Sequence, residues 1–363
     1  MSKSATQTIL TAATLFDNSY FDYRFPKPQY LGSKFDHLKW IGKYIPHDVH
    51  TVLDAFSGTQ SVAFYLKQLG LSVTTNDFMS FSHHIGLALV ENKGVTLGLQ
   101  DLEMLFDTNN AKGELMETTF ENIFFVRQEC KFLDNFRANI TRLKNKYKQA
   151  LAITIMNRAM QRKIIMGHFA HTKAIDYANS PERVRRNKSI SLPLKSLFLE
   201  QLPLYNQAIF DNGQPNISYH ENILDLLPKI SAKIDLVYFD PPYVDSHSDY
   251  QSFYHLLETY TMYWQDKDFI NGTKRYSPAR FSGFDKKTQI KESLENLFQK
   301  SVQIPHWLIS WNDRSFPLVD DFVAIINKYK NVEVIKKPYV QSRGGKGSVK
   351  GSSEILFVCS PKI

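Results

Sequence analysis

The residues with the clearest chemical potential are Asp240-Pro241-Pro242-Tyr243, which close the apolar run Ile234-Asp235-Leu236-Val237-Tyr238-Phe239. A short run of that content reads as a buried strand, so the tetrapeptide is delivered at its carboxyl end. Two consecutive prolines restrict the backbone and remove two amide donors, which lets the Pro241 carbonyl be held facing outward. An aromatic exocyclic amine is a poor nucleophile because its lone pair is delocalised into the ring. A carboxylate and a fixed carbonyl, each accepting one N–H, draw that nitrogen toward tetrahedral geometry and free the lone pair. Asp240 is also placed to take the proton released when the nitrogen is alkylated. Tyr243 offers a ring for base stacking, worth about 1–3 kcal/mol. The pattern suits methyl transfer to a nucleobase amine, with the base swung out of its stack and held in line with a donor. The plainer reading, a proline-punctuated turn, is disfavoured by the strand before it, the aromatic after it and a ligand-binding turn upstream.

That upstream turn belongs to a strand–turn–helix–strand unit. Val49-His50-Thr51-Val52-Leu53-Asp54 reads as a strand, and Ala55-Phe56-Ser57-Gly58-Thr59-Gln60 as the turn. A helix over 61–69 follows, with Gly70 at its C-cap, and then a strand over 72–75 leading to Asn76-Asp77. Such a unit predicts a parallel α/β sheet, whose ligands sit beyond the carboxyl ends of the strands. Gly58 permits close approach of a ligand to the backbone. Asp77 stands where a carboxylate takes both hydroxyls of a ribose. A pyrophosphate cradle wants GxGxxG, yet this turn has one glycine, and Gly32-Ser33-Lys34 is a fragment of a phosphate loop that follows no strand. The expected ligand therefore carries adenosine without phosphate, and S-adenosylmethionine answers that description.

The remaining elements place these motifs. A helix is predicted over 34–45, and residues 80–215 are mostly helical in pattern. Strands are predicted at 216–220, 234–239, 307–310, 332–335 and 353–358, with helices at 223–227, 285–301 and 318–329. The last two strands flank a glycine-rich turn at 343–351 and predict an antiparallel hairpin. The expected architecture is an α/β sheet, mostly parallel, with a C-terminal antiparallel hairpin and a helical insert. The expected organisation is an N-terminal tail over 1–25, a catalytic domain over 26–95 and 216–363, and the insert over 96–215.

Composition narrows the class. A hydrophobic fraction of 43% and a charged fraction of 22% are those of a soluble globular chain. No apolar run reaches the roughly 18 residues of a membrane helix, and the N-terminus lacks the pattern of a secretory signal. Cys130 and Cys359 show no metal or disulfide spacing, so a cytoplasmic protein is expected. His83-His84 and His168 with His171 lack carboxylate or cysteine partners at ligand spacing, so no metal is expected. The net charge of +8 is modest, but residues 131–188 alone carry +11. That excess is an electrostatic footprint for nucleic acid. Asn157, Arg158, Gln161 and Arg162 suit base edges, and Lys163, Arg185 and Arg186 suit phosphates.

Together these residues resemble the alpha group of adenine-specific DNA methyltransferases, the Dam-like class. The resemblance runs from about 27 to 360. Lys27-Pro28-Gln29-Tyr30-Leu31-Gly32-Ser33-Lys34 is similar to the group's N-terminal cofactor motif, and Asp54-Ala55-Phe56-Ser57-Gly58-Thr59-Gln60-Ser61 to its glycine motif. Asp77 matches the ribose acid, and Asp240-Pro241-Pro242-Tyr243 the catalytic motif. Gln60 stands where many relatives have a second glycine. The resemblance implies a Rossmann-like class I methyltransferase fold. It implies that Tyr30 and Lys34 close the cofactor site, that Phe56 and Gly58 line it with Asp54, and that Asp240 touches both cofactor and base. The adenine contact falls at Glu221, Asn222 or Asp225, of which Asn222 is preferred. It also implies that the basic insert recognises double-stranded DNA; restriction–modification, with a cognate restriction endonuclease, is the common setting of the family, and the sequence does not say whether such a partner exists. A monomer is the default. Two alternatives stand beside this reading: the same chemistry on RNA or on the cytosine amine, and a DNA-binding protein without catalysis. Asp as the first residue of the tetrapeptide and the presence of both Asp77 and Asp240 disfavour them.

Overall fold

A computed structural model describes residues 25–109, 113–243, 250–279, 282–342 and 348–362. The tail expected over 1–25 lies outside the described residues except for Phe25, as does the start of the 343–351 turn. The strands are β1 (Thr51–Asp54), β2 (Ser72–Asn76), β3 (Ile217–Tyr219), β4 (Leu236–Phe239), β5 (Asp268–Ile270), β6 (Arg275–Ser277), β7 (His306–Asn312), β8 (Asn331–Ser342) and β9 (Ser348–Ser360). Seven of them form one sheet in the order β3-β2-β1-β4-β7-β9-β8. Pairs from β3 to β7 are parallel, and β9 pairs antiparallel with both β7 and β8. The predicted C-terminal hairpin is therefore present. Its strands run beyond 332–335 and 353–358, because two paired strands satisfy each other's backbone groups without an apolar pattern to announce them.

The central strands are apolar on both faces, as a covered parallel sheet requires. Side chains alternate between two cores. Leu53, Val237, Phe239, Trp307 and Ile309 face one side. Helices α9 (Ile290–Ser301) and α10 (Val319–Ile326) pack there through Leu294, Leu297, Phe298 and Phe322. Val52, Val73, Leu236, Tyr238 and Leu308 face the other side, against Val62, Ala63 and Leu66 of α1 (Ser61–Gln68).

The segment between β2 and β3 is helical, as predicted. It holds α2 (Ser80–Ile85), α3 (Arg127–Ile140), α4 (Lys146–Lys163), α5 (Pro181–Arg186) and α6 (Leu194–Gln207). Asn145 caps α4 by accepting from the amides of Tyr147 and Lys148. Helix α4 buries residues on nearly every side, from Ala150 through Met160, and is the axis of a third core. That core also takes in Phe64, Met79 and Phe81 from the sheet side, and Tyr254, Leu257 and Tyr260 of α8 (Tyr250–Met262). α7 (Ile223–Ile230) lies between β3 and β4. Leu89 and Leu97, on either side of the boundary expected at 95/96, both belong to this core.

One contact ties α8 to the ligand side of the sheet. Glu258 is fully buried, and its carboxylate accepts from the amides of Ser80 (3.0 Å) and Phe81 (3.2 Å). It thereby satisfies orphan donors at the start of α2 and places negative charge at the positive end of that short helix.

Candidate active site

The carboxyl ends of β1, β2 and β4 open into a cavity of about 500 Å³. The turn after β1 forms its floor. Ser57 Oγ donates to the Asp54 and Asn76 carbonyls, locking the end of β1 to the end of β2. Gly58 has φ +48°, a left-handed value that favours glycine, and its amide donates to Asp77 Oδ2 at 2.7 Å. Asp77 Oδ1 accepts from the Met79 amide at 2.8 Å. Burial raises its pKa, against these donors. Gln60, in place of a second glycine, also adopts a positive φ of 65°, and it is fully buried with Nε2 donating to the Ser82 carbonyl.

Asp54 is 1% exposed, and its Oδ2 accepts from the Ala63 amide at 3.0 Å. Oδ1 has no partner among the described residues. Burial first, and then the charge of Asp240, push this carboxyl well above the ordinary range. An unpartnered buried carboxylate on a cavity wall is costly unless a donor or cation arrives.

Tyr30 stacks on Tyr254 with ring centroids 4.3 Å apart, and the Tyr254 hydroxyl accepts from the Leu31 amide at 2.8 Å. Phe56 lines the cavity with its ring edge-on to the buried Phe284, 5.1 Å away. Asn222 lines it too, but its Oδ1 caps α7 by accepting from the Leu224 amide at 3.0 Å. Its side-chain acceptor is thus already engaged. Neighbouring Glu221 pairs with Lys229.

Asp240 sits at the end of β4 in a polar network in which Lys34 and Glu354 are buried and Asp240 and Tyr243 partly so. Lys34 Nζ lies 2.9 Å from Asp240 Oδ2 and 3.5 Å from Glu354 Oε1. The Tyr243 hydroxyl lies 2.9 Å from Asp240 Oδ1 and 3.1 Å from Glu354 Oε1. The Lys34 ammonium also lies 4.9 Å from the centroid of the Tyr243 ring, whose other neighbour is Trp311 at 5.2 Å. Burial raises the pKa of Asp240, opposed by Lys34 and Tyr243. Burial alone would lower Lys34, yet Asp240 and Glu354 outweigh it and hold the ammonium above its usual range. Pro241 and Pro242 complete this wall.

Sequence reasoning missed Glu354, Tyr254 and Phe284. Glu354 is the one charged residue in the predicted strand 353–358, a weak signal that its carboxylate faces a partner. Nothing local ties it to Asp240, which is more than a hundred residues away.

The basic insert is less free than its composition suggests. Arg158 is half-buried and donates to Gln29 Oε1, while Gln161 donates to the Gln29 carbonyl. Both residues therefore anchor the segment that carries Tyr30. Asn157 is buried against Thr261. Arg162 pairs with Glu200, and Lys163 is buried in a pair with Glu129. Acids outside 131–188 pair with further bases of the insert: Glu91 with Lys146, Asp101 with Lys148, Asp107 with Arg142. The excess positive charge is left mainly on α5 and its flanks. Arg185 and Arg186 are exposed there, Arg186 pairing with Glu182. Lys173, Arg185 and Lys188 are exposed and make no ion pair among the described residues.

The model of the D12 class N6 adenine-specific DNA methyltransferases matches residues 30–316, from Tyr30 to beyond Asp240-Pro241-Pro242-Tyr243. The chain belongs to this family. A type II methyltransferase, M2.HphI of Haemophilus parahaemolyticus, is 34% identical over 346 residues, covering 92% of this chain and 98% of the relative. The modification methylase LlaI of Lactococcus lactis subsp. lactis is 25% identical over 90% of this chain. The type II methyltransferase M.FokI of Planomicrobium okeanokoites is 24% identical over 86%. This chain spans only about half the length of those two, 53% and 49%. No solved structure matches. As a D12-class enzyme, the protein is an adenine-specific DNA methyltransferase, and its sheet is the α/β methyltransferase sheet expected. No described helix is long and apolar enough to cross a membrane.

Proposed function

We propose that the protein transfers a methyl group from S-adenosylmethionine to the N6 amine of an adenine flipped out of duplex DNA. The observation that carries this reading is the arrangement of Asp54, Gly58, Asp77 and Asp240 around one cavity at the strand ends. The donor's parts fit what the cavity offers. The unpartnered Asp54 Oδ1 answers an ammonium, and Asp77 answers ribose hydroxyls. The open backbone at Gly58 allows close approach, its nearest neighbour to an added Cβ being Tyr30 at 3.7 Å. When bound, S-adenosylmethionine supplies an electrophilic methyl group on a sulfonium. With Asn222 Oδ1 engaged in its cap, the side chain has its Nδ2 donor left, which suits adenine N1 better than the amine.

The chain's own residues do the rest. Asp240 accepts one N–H of the target amine, and the Pro241 carbonyl accepts the other. The amine nitrogen is thereby held tetrahedral and aimed across the cavity. Asp240 receives the proton as the C–N bond forms, a role that its raised pKa favours. The Tyr243 ring stacks on the base. The exposed bases of α5, among them Arg185 and Arg186, hold the duplex phosphates. A cognate restriction endonuclease, a monomeric state and a cytoplasmic location complete the proposal.

The test is incubation with labelled S-adenosylmethionine and duplex DNA, single-stranded DNA or RNA, beside Asp240→Ala. Nuclease digestion then locates the label. Label at adenine N6 in duplex DNA, lost in the variant, is expected. Label in RNA only, or undiminished label in the variant, overturns the reading.

A further inference from the structure

An amine hydrogen-bonded to Asp240 must sit about 2.7–3.2 Å from one of its oxygens. In the free protein Lys34 Nζ, at 2.9 Å from Oδ2, already holds such a place. The same ammonium lies 4.9 Å from the centroid of the Tyr243 ring, where a stacked base belongs. Oδ1, the other oxygen, accepts from the Tyr243 hydroxyl. The carboxylate is therefore engaged on both oxygens by donors of the chain itself, and a base stacked on the Tyr243 ring must displace the ammonium that stands over it.

A displaced Lys34 needs somewhere to go. The residue is only 6% exposed, and a buried ammonium without an acceptor is strongly unfavourable. Glu354 Oε1 is 3.5 Å from Nζ and 3.1 Å from the Tyr243 hydroxyl. A hydroxyl has one proton to donate, so Tyr243 serves one carboxylate at a time or divides itself between them. Both donors thus face two carboxylates, and Lys34 Nζ also donates to the Gly32 carbonyl, a neutral acceptor, at 3.1 Å. The three charged groups also carry one negative charge more than the single ammonium neutralises, which leaves room for a proton arriving on Asp240.

We propose that Glu354 is a positioning residue that receives the Lys34 ammonium and the Tyr243 hydroxyl when the target amine takes their places on Asp240. Glu354 touches neither base nor methyl donor; it acts by freeing Asp240. The inference rests on the reading of Asp240 as the amine acceptor, and the experiment separates the two.

Wild type, Glu354→Gln, Glu354→Asp and Asp240→Asn are compared on unmethylated phage DNA in single-turnover methyl transfer across pH. S-adenosylmethionine affinity is measured alongside by equilibrium dialysis. In Glu354→Gln the single-turnover rate is expected to fall ten- to a hundredfold, with cofactor affinity within twofold of wild type. Asp240 is then the one carboxylate left beside Lys34, which keeps it ionised to lower pH, so the acid limb of the rate profile moves down. Glu354→Asp, which keeps the charge with a shorter reach, is expected between the two. A rate within twofold of wild type in both Glu354 variants, or an unmoved acid limb, overturns the proposal. If Glu354→Gln loses cofactor binding, Glu354→Asp decides by the same two readouts. If Asp240→Asn keeps wild-type activity, the reading of Asp240 fails instead.

Discussion

The backbone amide of Gly58 donates to Asp77 Oδ2 at 2.7 Å, so the turn after β1 and the acid after β2 act as one unit. In the proposed cofactor site Asp77 thus sets the shape of the floor as well as offering oxygens to a ribose. Asp77→Ala is therefore expected to weaken S-adenosylmethionine binding about 10- to 100-fold, from the roughly 1.5–3 kcal/mol of a hydrogen bond to a charged group. Equilibrium dialysis measures this directly. Binding within twofold of wild type would remove Asp77 from the cofactor site.

Asp54 trades stability for binding. Its buried Oδ1 lacks a partner, and burial raises its pKa. Asp54→Asn keeps an acceptor for the Ala63 amide and removes the buried charge, so the free protein is expected to gain about 1–3 kcal/mol near neutral pH. A raised folded pKa means the penalty is present at high pH. It begins to fade as pH falls through the folded value and is gone below the unfolded one. The melting-temperature gap between variant and wild type should thus close on acidification, while the variant binds cofactor more weakly. A gap that widens toward acid pH would contradict this.

Glu258 is a structural carboxylate with a functional address, since the amides it accepts open the helix that follows Asp77. Glu258→Gln loses at least one charged hydrogen bond. A stability loss of about 1–3 kcal/mol in urea unfolding is expected. No change in the unfolding midpoint would show that these amides find other partners.

The arginines of the insert divide into two classes that salt dependence can separate. Replacing Arg185 and Arg186 by Ala should lower the slope of log K against log salt for duplex DNA by nearly 2, at about 0.9 per phosphate contact. Arg158→Ala should leave that slope unchanged and weaken cofactor binding instead, because Arg158 holds Gln29 next to Tyr30. Binding titrations at several salt concentrations check both, and equal slopes for all variants would refute the division.

The sequence by itself determined the sheet's parallel half, the two strand ends bearing Asp77 and Asp240, the helical insert and the C-terminal hairpin. These are local in origin: apolar runs of strand length, turn residues, and a tetrapeptide whose prolines stiffen the backbone wherever it lies. Only the tertiary structure decided which charges are free. Arg158, Arg162 and Lys163 look unpaired in the sequence, and the structure gives them Gln29, Glu200 and Glu129, partners that lie outside any local window. Asn222 lines the cavity as expected, but only the structure shows that the first turn of α7 takes its oxygen and leaves Nδ2 for a ligand. Glu354 carried almost no signal, because antiparallel pairing of β9 with β7 is what swings it beside Lys34, Tyr243 and Asp240. Chemistry written in adjacent residues survives in the sequence. Chemistry made by a carboxylate meeting an ammonium across the sheet exists only after burial forces the two to share one small volume.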